Sequence, residues 1–209
     1  FEQPARPQGV ERNIVITSWD WSTPTGYMHD LISTDRRRPT VNAYGKLYGA
    51  TEESTDYFPV LDPKTHAAGQ VKHPVRDPKT PSSVKNPMAP SPYWGPNPIW
   101  DSQASIHNQM MDEKGRVWMA ARVRHPNNPD YCRKGGNHPS AKVFPLNAAN
   151  RHVSMYHPAT GKFTLISTCF PTHHVILAED ANNTLWFSSG VTGPGAFGWI
   201  NRKMFEETG

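Results

Sequence analysis

A turn-and-tryptophan unit occurs twice in this chain, and its spacing limits the folds available. The first copy is SIHNQMMDEKGRVWMAARV (105–123) and the second is PTHHVILAEDANNTLWFSSG (171–190). Trp118 and Trp186 stand 68 residues apart, and each follows an aspartate, Asp112 or Asp180, by six positions. Each copy reads as two short β runs joined by a tight turn, the pattern of an antiparallel hairpin. The fourth turn position is Gly115 or Asn183, residue types that tolerate positive φ cheaply. A second turn type, [DH]-P-x-T, occurs at Asp62–Thr65 and His157–Thr160, where proline presets φ. Inner hairpin, loop, outer hairpin and inner hairpin again predict four-stranded sheets that stack on their neighbours to bury their faces. The expected class is all-β: a portion of a β-propeller, with about three incomplete four-stranded blades and long Pro-rich loops.

The expected organisation is one propeller domain over 1–209. Its first blade spans 13–75, with a strand at NIVITSWDW (13–21) and a long loop at 21–55. A Pro-rich loop covers 76–104 and holds Tyr93, Trp94 and Trp100, so it is expected to be ordered. The second blade spans 105–168, with loop 124–150 inside it. A truncated third blade spans 172–209 and includes a strand at FGWINRK (197–203). Three blades do not close a ring. The remaining blades are therefore expected from the rest of the protein or from another chain.

With 21 prolines and 15 glycines in 209 residues, long helices are excluded. No stretch approaches the roughly 20 apolar residues of a membrane span. The net charge is +4, but the basic residues are scattered apart from Arg36-Arg37-Arg38, so no nucleic-acid-binding stripe is present. The arginine triplet reads either as a phosphate grip or as a solvated loop. The two cysteines, Cys132 and Cys169, form no CxxC and no CxxCH. That disfavours a thiolate zinc site and excludes covalent haem attachment within this segment. A disulfide between them is expected, alongside the alternative of free thiols. It would close a 37-residue loop and add about 3–4 kcal/mol in the chain-entropy model. Such a bond favours an oxidising compartment, so a periplasmic or secreted location is expected.

Histidine is the residue type that exceeds what the turns require. There are ten. His107 and His173 precede their aspartates by odd counts, so strand alternation turns them the same way. His174 faces oppositely unless the strand is bulged. His29, followed by Asp30, is a third candidate. Imidazoles converging on a propeller axis can hold a divalent metal. The candidate metal ligands are His29, His107, His173 and His174, and the candidate ligand-binding residues are His29, Asp30, His107 and Asn108. The alternative is that these histidines bond water or carbonyls in a polar channel. His66, His73, His125, His138, His152 and His157 sit beside turns or prolines and read as surface residues. No GxSxG, P-loop or HExxH motif is present, and no catalytic residue is assigned.

HNQMMDEKGRVW followed by YHPATGKFTLI resembles the streptogramin B lyase (virginiamycin B lyase) family of β-propellers. That family uses a channel histidine and a divalent metal to open a cyclic ester by elimination. Its blade-start histidine falls at His107, and at His173 or His174. The third blade departs from the pattern at Ile200-Asn201-Arg202-Lys203, where the D-P-x-T turn is missing. Longer segments, among them STDRRRPTVNAYGKLYGATEESTDYFPVLDP and FPTHHVILAEDANNTLW, resemble large exported bacterial proteins labelled carboxypeptidase-regulatory-like-domain proteins. In that group a cytochrome-like CxxCH segment precedes the propeller, so the resemblance implies haem c only outside this segment. The leading expectation is an exported module that binds a metal or small ligand in its central channel and serves a haem-linked redox protein. A metal-dependent lyase of the streptogramin type and a structural protein-interaction scaffold are the alternatives.

Overall fold

A computed structural model describes residues 8, 18–21, 23, 26–84, 96, 100–189 and 195–209. The chain is all-β and incomplete-propeller-like, built from three antiparallel sheets. The first contains β1 (Asp30–Ile32), β2 (Leu47–Ala50), β3 (Tyr57–Asp62) and β4 (Ala67–Lys72). The second contains β5 (His107–Met111), β6 (Val117–Ala121), β7 (His152–His157) and β8 (Lys162–Ile166). The third contains β9 (Val175–Leu177), β10 (Leu185–Ser188) and β11 (Phe197–Ile200). Strands pair in chain order throughout. The first strands of the sheets lie together, β1 against β5 and β5 against β9.

Local chemistry explains the hairpins. Gly115 and Asn183 adopt φ of 74° and 48°, the left-handed region their turns demand. Asp112 holds the β5–β6 turn from inside. Its Oδ1 accepts from Lys114 N at 2.9 Å and Arg116 N at 3.0 Å. Its Oδ2 accepts from Arg116 Nε and Trp118 Nε1, both at 2.7 Å. The six-residue aspartate-to-tryptophan spacing thus locks a fully buried indole to its own turn. Asp180 secures the β9–β10 turn in a similar way, accepting from Thr184 N at 2.9 Å and Thr184 Oγ1 at 2.7 Å.

The second sheet is the middle layer. One face packs Met111, Val117, Met119, Ala121 and Tyr156 with Ile32, Tyr48, Ala50 and Phe58 of the first sheet. The other packs Met110, Trp118, Val153 and Met155 with Val175, Leu177, Leu185 and Phe187 of the third. Alternation along β6 and β7 sends neighbouring residues to opposite cores.

Several expectations are corrected. The segment 21–55, read as a loop, contains β1 and β2. Of the strand expected at 13–21, residues 13–17 lie outside the described residues, and 18–21 are not in a strand. Tyr93 and Trp94 also lie outside them, whereas Trp100 packs on Tyr27 at 5.6 Å. The strand expected at 197–203 ends at Ile200. A short helix α1 (Pro139–Val143) lies in the 124–150 loop. A second, α2 (Arg202–Thr208), follows β11, with Asn201 Oδ1 capping it by accepting from Met204 N at 3.0 Å. Of the arginine triplet, Arg37 is not simply solvated. It pairs with Asp35 and Glu113 and donates to Ala178 O at 2.6 Å. His73 and His152, read as surface residues, are buried. The disulfide Cys132–Cys169 is present. Among the described residues no helix is long and apolar enough to cross a membrane.

Candidate metal centre

Three non-glycine residues beside the histidines have positive φ. They are Glu52 at 37°, Ser105 at 45° and Asn108 at 42°. Such backbone costs energy and persists where the surroundings fix it. Here the fixing contacts are visible. Glu52 N donates to Ile106 O at 2.8 Å, joining the first and second sheets. Asn108 forms a bulge between His107 and Gln109. Its Oδ1 accepts from Val175 N at 2.7 Å, and its Nδ2 donates to Asp30 Oδ2 at 3.4 Å. The side chain of Asn108 therefore joins all three sheets beside the histidines.

His107 lies at the centre of the cluster, its side chain only 3% exposed. It stacks on His29 with ring centroids 4.8 Å apart, on His173 at 4.3 Å and on His174 at 5.3 Å. His173 and His174 lie 4.1 Å apart. His107 Nδ1 stands 3.2 Å from Glu52 Oε1, off the hydrogen-bond direction, and neither buried ring nitrogen has a hydrogen-bond partner. Two sets of donor atoms, each within 4.8 Å of one another, share this residue: His107, His173 and His174, and His29, Glu52 and His107. Tetrahedral zinc with bonds of about 2.0–2.1 Å places its ligand atoms roughly 3.3 Å apart. Ligand atoms up to 4.8 Å apart must draw in to reach that spacing.

Glu52 is the one carboxylate in either donor set, and the guanidinium of Arg151 already pairs with it. Glu52 is pulled down to about 2, first by His107 and then, against its burial, by Arg151. Arg151 Nη2 donates to Glu52 Oε1 at 2.7 Å, while its Nε donates to Ser105 O at 2.8 Å. Burial first, then His107 and His174, push His173 down to about 4. Burial and His107 also lower His174. Both imidazoles are neutral at pH 7, the form that binds metals.

The structure brings together all four histidines singled out from the sequence. Strand parity does not separate His173 from His174, because both face Ser188 and a bulge at Asn108 shifts the register beside His107. His107 lies opposite Ala120, whereas Ser188 O accepts from His173 N at 3.0 Å and Ser188 N donates to His174 O at 3.1 Å. Ala120 and Ser188 are equivalent in the 68-residue repeat. Asp30 faces Asn108 rather than completing either donor set. Sequence reasoning missed Glu52 and Arg151. Neither belongs to the repeat, and both reach the site through long-range contacts.

No protein-family model matches the chain, and no curated protein matches it. Among solved structures, it is similar to PorZ, described as an essential bacterial surface component of the type-IX secretion system of Porphyromonas gingivalis. The identity is 12% and the TM-score 0.36, over 88% of this chain and 19% of that chain. This chain thus spans about a fifth of the length of that relative. A likeness at this level assigns neither function nor site.

Proposed function

We propose that the chain is a divalent-metal-binding module, with the ion held among His29, Glu52, His107, His173 and His174. One observation carries the reading: a buried imidazole whose two nitrogens both lack hydrogen-bond partners, ringed by four further donors. An unpaired buried polar group costs roughly 1–3 kcal/mol. A metal bond would remove that cost. Imidazole with one carboxylate suits zinc, copper or nickel, and carbonyl-rich calcium sites look different. Asn108 and Asp30 act beside the ion, Asn108 as the brace that fixes the bulge.

We read the three sheets as blades of one propeller domain, divided as 13–75, 105–168 and 172–209, with the ion in its central channel. A small anionic or carbonyl-bearing ligand would take an open position on that ion. The disulfide supports an exported protein. Titration of metal-free protein with zinc chloride in a calorimeter tests the metal reading. One zinc per chain at micromolar affinity or tighter is expected, with at least tenfold weakening in His107→Ala. Equal affinity in the variant contradicts the proposal.

A further inference from the structure

The outer face of the third sheet carries four large apolar side chains in one patch. Ile176, Trp186 and Trp199 face one another across β9, β10 and β11, and Phe197 follows two residues before Trp199 on the same face. Their exposures are 59%, 41%, 64% and 81%. The Trp186 and Trp199 rings lie 5.6 Å apart.

The repeat shows what such a row does. Met110, Trp118 and Met155 form the same row in the second sheet, with Trp118 paired to both. Trp118 is the 68-residue equivalent of Trp186 and is 0% exposed, because the third sheet covers it. The outer row therefore continues an interface already present in the chain.

The complementary surface lies at the other end of the stack. The outer side of the first sheet has a 220 Å³ hollow lined by Trp21, Tyr27, Met28, Tyr57 and Pro59 among others. Leu31 is exposed on the same face. The chain thus presents a projecting aromatic row at one end and an apolar hollow at the other.

We infer that two copies of this chain associate, the outer face of the third sheet of each covering the outer face of the first sheet of the other. The two contacts are equivalent under a two-fold axis, so the assembly closes. Six sheets stand in the ring, within the four to eight that propellers use. The inference is independent of the metal reading, since no donor residue lies on either face.

Light scattering coupled to size-exclusion chromatography tests it on the full chain at 10–200 µM (on the order of typical working concentrations) with EDTA present. A dimer is expected. Trp186→Glu with Trp199→Glu removes two buried aromatics, each worth roughly thirtyfold in affinity, and should give a monomer. Leu31→Glu with Tyr57→Glu should do the same from the opposite face. Circular dichroism must match the wild type in both. Mixing the two variants restores a weaker heterodimer, because one contact between them stays intact. A monomeric wild-type chain overturns the proposal, as does a dimer that survives the Leu31 and Tyr57 changes. The second result would mean that the tryptophan faces pair with each other.

Discussion

Acidification should weaken this fold well before its carboxylates titrate, and His73 is one cause. Its ring is fully buried, with Nε2 2.7 Å from Ser154 Oγ, Nδ1 without a partner, and the ring 5.1 Å from that of Phe163. Burial pushes this imidazole from 6.5 down to about 3, a backbone contact with Pro74 opposing weakly. A folded pKa below the unfolded one means the unfolded chain takes up a proton first. The stabilisation is therefore complete above pH 6.5 and drains as the pH falls toward 3. At pH 5.5 the loss from this one group is about 1.4 kcal/mol, and at pH 5 about 2 kcal/mol. Glu52, Glu113 and Glu206 are held at about 2. Their contributions fade only below the unfolded value near 4.5, so pH 5.5 isolates the histidines. The assay is urea unfolding followed by tryptophan fluorescence at pH 7.5 and 5.5, with EDTA present. His73→Gln keeps an amide within reach of Ser154 and cannot titrate. His152, His173 and His174 act in both proteins, so the difference between the two losses belongs to His73. Wild type should lose about 1.4 kcal/mol more than the variant over this interval. Equal losses would refute the argument that this burial is dry and the ring neutral.

Two further outcomes follow from the same contacts. Asp112→Ala strips four hydrogen bonds from the β5–β6 turn and leaves the buried Trp118 indole unpaired. A loss of about 3 kcal/mol is expected in denaturant titration, with Trp118 emission shifted to the red, and a loss below 1 kcal/mol would contradict the turn-lock reading. Reduction of Cys132–Cys169, or Cys132→Ser with Cys169→Ser, should cost about 3–4 kcal/mol for the 37-residue separation. An unchanged midpoint would show that contacts such as Arg124 Nη2 to Asn128 Oδ1 and Thr168 O hold the loop without the bridge.

The turns were legible in the sequence because they are local. Gly115, Asn183 and the Asp112–Trp118 spacing each encode a backbone conformation or contact within a few residues. The inner strands of the first sheet were not legible. Asp-Leu-Ile at 30–32 and Leu-Tyr-Gly-Ala at 47–50 are too short to show a period and become strands by pairing across a 14-residue gap. Helix α2 was hidden for the same reason, being seven residues long and started by a single cap at Asn201. Repetition in the sequence pointed to His107, His173 and His174. Glu52 has no repeat partner. It reaches His107 only through a backbone bond to Ile106, which no local pattern announces. The burial of His73 and His152 was likewise a tertiary outcome, because their flanking prolines and turns look the same in a surface loop.

Anomalous diffraction from crystals grown with zinc, recorded on both sides of the zinc absorption edge, tests the central claim most directly. The account predicts one peak within about 2.0–2.1 Å of a His107 ring nitrogen. At least two further ligands should come from His29, Glu52, His173 and His174. Zinc peaks only at surface histidines such as His66 or His138, with His107 left unbound, would contradict it.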